Sequence, residues 1–272
     1  MPEARRFGAY TVSILIDGVY SAPVEHLAHA GNAAARDAAV AAWGAKTVDM
    51  DVNLFLLEGP DGFTLVDAGT GPFWGPQLGL GRAALAAQGV KPQHVVRVLL
   101  THLHGDHALG LFDQSDAYFP NAEIFAPQAD LDFFGNSALK DQVPAYRRGG
   151  FDIHKRLLSS YGGRVRPVEE GPLLPQIEAI AMPGHTPGHS GYLIGEGAER
   201  LLLWGDLVHA PSLQLEDPDV CFIYDADAAQ GAASRRSIFA RASEERFAAS
   251  GGHVSGFVHV ERAGNAWRFA PA

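Results

Sequence analysis

The 272-residue chain predicts an α/β fold, in which sheets are sandwiched between helices. Three observations carry that prediction. Apolar runs of strand length recur along the whole chain, and segments of helical propensity alternate with them in the later half. The 31 Gly and 17 Pro supply the many turns such an architecture needs. No repeat or low-complexity linker breaks the pattern, so residues 1–272 read as one domain.

In chain order, TVSILIDGVY (11–20) carries enough β-branched and aromatic residues for a strand or bent hairpin. Residues 25–46 show no clear period and read as irregular or short helix, with His26 and His29 as surface histidines. VNLFLLE (52–58) and FTLVDAG (63–69) flank Gly-Pro-Asp-Gly, a hairpin signal. RAALAAQ (82–88) is helical, ends at Gly89 and Pro92, and leads into VVRVLL (95–100), a fully buried strand. Then follow AEIFA (122–126), a helical region over about 127–160, IEAIAM (177–182) and the hairpin GYLIGE with RLLLWGD. A helix over about 227–249 and strands near 257–260 and 266–270 close the chain.

A net charge of −10 and the absence of any basic run longer than a pair argue against nucleic-acid partners, which require a cationic footprint. Cys221 is the single cysteine, which excludes an intrachain disulfide and a thiolate metal site of the finger type and reads as a buried small residue. The opening MPEARRFGAY has no apolar core of a leader and no run is long enough to span a bilayer. A soluble, cytoplasmic chain without membrane contact is the expectation, leaving room for a leader cleaved before residue 1.

The chemistry is concentrated in LLTHLHGDHALGL (99–111), directly after the buried strand. Imidazole and carboxylate are the donors a borderline divalent cation prefers, so His102, His104, Asp106 and His107 form a supply of ligands. Four donors this close cannot all serve one ion without strain. Downstream, PGHTPGHSGYLI puts His185 and His189 in a Pro/Gly loop, LLLWGDLVH ends a strand at Asp206, and SGGHVSG puts His253 in a tight turn. Each lies at a strand end, where loops from different strands can converge on one rim.

Together these four pieces resemble the metallo-β-lactamase-fold hydrolases, and the likeness spans nearly the whole chain. The resemblance implies an αββα sandwich with a two-metal centre. It gives His102, His104 and His189 to one ion, Asp106, His107 and His253 to the other, and Asp206 to both. His185 is then a loop brace, His253 is favoured over the strand-like His259, and Asp67 braces the ligand loop from outside. Zinc is the first choice of metal, with manganese, cobalt or iron also suited to the donors. GPFWGP, LLTHLHGDH, PGHTPGHSGY, WGDLVH and GNAWRFAP resemble in particular the methyl parathion hydrolases and their lactonase and aryl-esterase relatives. That likeness also implies a homodimer.

What the resemblance implies for activity is hydrolysis of an ester, lactone or phosphotriester by a hydroxide bridging the two ions. Asp106 would both ligate and accept the proton. His209 stands three residues after Asp206, where acyl-homoserine lactonases carry tyrosine; it reads either as a substrate contact or proton donor, or as a packed histidine. Phe73 and Phe134 match aromatic pocket walls, which predicts a small uncharged hydrophobic substrate. Two rivals share the fold: an iron-dependent redox enzyme of the persulfide dioxygenase kind, and a nucleic-acid-processing hydrolase. The complete ligand set opposes the mononuclear first and the acidic charge opposes the second.

Overall fold

The computed structural model describes residues 4–114 and 116–272. Two seven-stranded sheets face one another. The first holds β1 (Ala4–Phe7), β2 (Tyr10–Pro23), β3 (Thr47–Gly59), β4 (Gly62–Val66), β5 (Val95–Leu99), β6 (Glu123–Pro127) and β7 (Val165–Val168) side by side. The second holds β8 (Gly171–Leu174), β9 (Ile177–Ala181), β10 (Ser190–Glu196), β11 (Glu199–Leu203), β12 (Ala248–Gly251), β13 (Val254–Ala263) and β14 (Ala266–Pro271).

Strand periodicity sorts side chains between layers. On β3, Phe55 and Leu57 point between the sheets and meet Tyr192, Ile194, Leu201 and Leu203 from the second. Leu54 and Leu56 point the other way, into a core shared with the helices α1 (Gly81–Ala87), α2 (Gln128–Gly135) and α3 (Gly149–Tyr161). Helix α3 buries Ile153, Leu157 and Tyr161, a stripe four residues apart. The second sheet's outer face carries Leu193, Leu202 and Trp204 against Ile238, Phe239 and Ala242 of α4 (Ala228–Glu245). The order helix, sheet, sheet, helix is therefore observed. No helix among the described residues is long and apolar enough to cross a membrane.

Three local devices position the rim where the sheets end. Asp17 accepts hydrogen bonds from the amides of Thr70, Gly79 and Gly81 and from the Thr70 hydroxyl, pinning the loop after β4 to β2. Asn53 of β3 donates to the carbonyls of Gly251 and Val254 and its amide donates to Gly252, so the first sheet is stapled to the turn between β12 and β13. The short strands Leu27–His29 and Val220–Phe222 pair antiparallel and bring the segment after β2 to the segment after β11.

The loop after β4 is also laced to the ligand segment, with Ala68 N–H donating to His107 C=O and Gly110 N–H to Gly69 C=O, both at 2.7 Å. A Cβ on Gly110 would lie 1.8 Å from the Ala68 carbonyl oxygen. Backbone cannot yield there as a side chain would, so Gly110→Ala should cost at least about 3 kcal/mol. Urea unfolding checks this: an unchanged midpoint would mean that the two loops separate freely.

Candidate metal centre

Each segment of the centre leaves the end of a strand and turns inward. β5 ends at Leu99 and the chain passes through Thr101 into the short helix Gly105–Ala108, which carries Asp106 and His107. His185 lies between β9 and β10, Asp206 just after β11, and His253 in the turn between β12 and β13. Gly205, at φ +52°, lets the chain reverse there; a Cβ would strike His189 and Thr101.

The side chains meet in two groups that share Asp206. His102, His104, His185 and Asp206 form one, and Asp106, His107, His253 and Asp206 the other, with the donor atoms of each group within 4.8 Å of one another. Asp206 Oδ2 stands 3.2 Å from His185 Nε2 and 3.3 Å from His253 Nε2, while its Oδ1 is 3.0 Å from His107 Nε2. One carboxylate thus faces both groups.

Hydrogen bonds on the far side of each ring choose the tautomer. Nδ1–H of His107 donates to Asp67, that of His185 to Asp225, and that of His253 to the Asp51 carbonyl, at 2.7, 2.7 and 2.6 Å. The Thr101 hydroxyl donates to Asp67 and accepts from His102 Nδ1. Nε2 of all four rings is turned to the centre. His104 presents Nδ1 instead, 2.9 Å from His185 Nε2. Asp130, fully buried, accepts from Leu103 N–H, Gly188 N–H and the Thr186 hydroxyl, tying the His104 loop to the His185 loop; burial pushes its pKa up to about 6.

The electrostatics suit cations. Burial holds the His104 pKa down to about 3, the neutral form a ligand needs. Burial opposes charge on His185 too, but hydrogen bonds to Asp206 and Asp225 push it up to about 9, so a cation bound there would displace the proton those carboxylates attract. Burial would raise the Asp106 pKa, yet His107 beside it brings it to about 2. Nε2 of His102 and of His107, with Oδ1 of Asp206, is buried without a hydrogen-bond partner among the described residues. Orphaned lone pairs facing a shared carboxylate are what divalent cations would satisfy, so the residues fit the metals.

One expected ligand is corrected. His189 belongs to neither group, because its Nδ1–H donates to the Met182 carbonyl and its Nε2 accepts from the Asp206 amide, which leaves no lone pair. His185, expected as the brace, holds the ligand position, and His189 braces Asp206. His259 lies on β13, its Nδ1 3.4 Å from the Phe247 carbonyl, outside both groups.

Above the centre opens a cavity of about 510 Å³, walled by Tyr20, Met50, Trp74, Leu109, Ile153 and Tyr224. His209 also lines it, buried, with neither ring nitrogen hydrogen-bonded among the described residues and Nε2 3.3 Å from Asp206 Oδ2. Of the two expected aromatic walls, Phe73 does not line the cavity; its ring packs under Arg156 and is 38% exposed. Phe134 is 5% exposed, packs on Phe133 and Phe151, and edges a neighbouring cavity of about 350 Å³ that reaches His104 and His185. The wall residues that sequence reasoning missed include His26, set down as a surface histidine, whose Nδ1 is 2.6 Å from the Tyr224 hydroxyl. Cys221 is buried, as expected of a small core residue.

The profile of the metallo-β-lactamase superfamily matches residues 47–253, which includes every donor of both groups. The chain belongs to the metallo-β-lactamase superfamily. An uncharacterised member of the curated proteins, YobT of Bacillus subtilis, is 31% identical over 150 residues, 52% of this chain and 56% of that one. Ribonuclease Z of Streptococcus agalactiae is 38% identical over 71 residues, 25% of this chain and 22% of that enzyme. The chain thus spans about half or less of these relatives. Among solved structures, the hydrolase AbOPH superposes with a TM-score of 0.88 at 22% identity, covering 100% of this chain and 97% of that one. AidC, a dizinc quorum-quenching lactonase, does so with a TM-score of 0.88 at 24% identity over the same shares. At those identities the superpositions establish the superfamily's fold, in agreement with the two facing sheets.

Proposed function

We propose that the protein is a two-metal hydrolase of small esters, lactones or phosphotriesters, with zinc as the first candidate metal. The observation that carries this reading is the pair of donor groups sharing Asp206 at the base of an apolar-walled cavity. Two divalent cations held there, one by His102, His104 and His185 and one by Asp106, His107 and His253, would supply an acidified water as nucleophile and electrophilic contact for a carbonyl or phosphoryl oxygen.

The chain's own groups do the rest. Asp106 lines the cavity with its carboxylate 3.7 Å from His253 Nε2, where it would hold a cation and accept the proton that the attacking water releases. Burial holds the His209 pKa down to about 4, so its ring is neutral and offers an N–H to a substrate oxygen. Trp74, Leu109 and Ile153 give apolar area to an aromatic or short acyl group. AidC, described as a lactonase, lends support to a cyclic ester as one substrate. The likeness of GPFWGP and GNAWRFAP to methyl parathion hydrolases supports aryl esters and phosphotriesters. With a net charge of −10, a polyanionic nucleic acid is disfavoured.

The test is turnover of phenyl acetate, dihydrocoumarin, a dialkyl aryl phosphotriester and a long-chain acyl-homoserine lactone by protein loaded with zinc or manganese, with and without chelator. Chelator-sensitive hydrolysis of the compact aromatic substrates ahead of the long-chain lactone is expected. Protein carrying two ions per chain that turns over none of the four would overturn the reading.

A further inference from the structure

We infer that the substrate carries an anionic group at the end remote from the bond that is cleaved, and that Arg156 and Arg147 receive it. The inference takes the hydrolase reading above for the reacting end and adds a requirement at the other. Arg156, on α3, lines the large cavity. Its guanidinium carbon lies 4.4 Å from the ring centre of Phe112 and 4.6 Å from that of Phe73. Two rings hold the planar group, yet no carboxylate or carbonyl among the described residues accepts from it, and Nη2 is buried without a partner. A guanidinium stripped of part of its water and given no counter-charge is costly unless something supplies the acceptor.

Arg147 stands in the same wall. Its Nε and Nη2 both donate to the Ile223 carbonyl, at 2.8 and 2.6 Å, which fixes the plane of the group. No ion pair between Arg147 and a carboxylate occurs among the described residues, and its Nη1 makes no hydrogen bond there. Other arginines of this acidic chain are engaged: Arg200 pairs with Glu245, and Arg235 donates to the carbonyls of Leu207, Pro218 and Val220. Asp152 also faces the cavity, but Lys140 is paired with it. Asp106 and Asp206 lie among their histidines.

The expectation of an uncharged substrate rested on Phe73 and Phe134. Neither walls this cavity, and Phe73 instead supports Arg156. An ester or lactone with an apolar middle and a carboxylate, sulfonate or similar oxyanion terminus fits both the apolar wall and the unpaired guanidinium groups.

The probe is benzenesulfonate, an anion that coordinates metals poorly, compared with the neutral methyl phenyl sulfone, both titrated calorimetrically into the metal-loaded protein. Sulfonate should bind at least about tenfold more tightly, a margin that shrinks with added salt. Arg156→Met and Arg147→Met should each narrow the margin to about threefold or less, while Arg156→Lys keeps part of it. Thermal melting confirms that the variants are folded; the wild-type margin and its salt dependence can be read without them. A wild-type margin below about threefold, or one that both methionine variants retain, overturns the inference. Phenyl acetate turnover separates the two readings. Hydrolysis with no sulfonate preference rejects the anion site alone, whereas a preference that the methionine variants abolish, without hydrolysis of any ester, upholds the site and rejects the hydrolase.

Discussion

Asp206→Ala should leave a chain that binds no more than one divalent ion under conditions where the parent binds two, with activity lower by at least about a thousandfold. The size of the effect follows from its position. Asp206 is the one donor present in both groups, with Oδ2 beside His185 of one and His253 of the other and Oδ1 beside His107. Its removal takes a ligand from each ion at once and also leaves His107 and His185 without the carboxylate they approach at 3.0 and 3.2 Å. Elemental analysis together with turnover checks the expectation. A variant that still holds two ions would show that the groups are independent sites and not one binuclear centre.

His185→Ala and His189→Ala should behave differently although the two histidines stand in consecutive Pro-Gly-His steps of one loop. His185→Ala deletes a donor and should drop metal stoichiometry to one ion per chain. His189→Ala deletes a brace: the buried Asp206 amide loses its acceptor, which costs about 1–3 kcal/mol of stability. Both ions should still bind at saturating metal, with affinity weakened about 10- to 100-fold, the range for groups that orient ligands from behind. Titration with a competing chelator, with melting temperature as the second readout, distinguishes the two. Stoichiometry falling in His189→Ala and holding in His185→Ala would restore the assignment that the sequence suggested.

That exchange shows where sequence reasoning reached its limit. Both histidines follow Pro-Gly, and what separates them is tertiary: Asp225 behind one ring, the Met182 carbonyl and the Asp206 amide around the other. The strand Val95–Leu99 and the hairpin across residues 59–62 were legible because an apolar run or a turn dipeptide is a local signal. β12 was not. The helix expected over about 227–249 reaches Ala248 and Ala249, since alanine carries no strand preference, and only pairing with Leu201–Leu203 makes AASG (248–251) extended. Helix α4 in fact stops at Glu245, where Arg246 turns left-handed at φ +56°. Asp130 and Asp17 escaped notice for a related reason: an aspartate in a polar segment or a strand shows nothing of the backbone amides it will meet. Residues 25–46 hid the wall residue His26 because its partner Tyr224 lies 198 residues away.

The staple between the sheets has a consequence for how the centre keeps its dimensions. Asp51 and Asn53 belong to β3, yet the Asp51 carbonyl orients the His253 ring and Asn53 grips the carbonyls on either side of it. His253 is thereby referenced to the first sheet, as His102 and His107 are through Asp67 at the end of β4. The Asp106, His107, His253 half of the centre is thus gauged from one rigid layer, even though His253 and Asp206 are carried by the other. Asp206, braced by His189 from the second sheet, spans the joint. The spacing of the two layers therefore acts as a caliper on the separation of the donor groups, and core residues such as Phe55 and Tyr192, packed between the layers, belong to what holds its jaws apart.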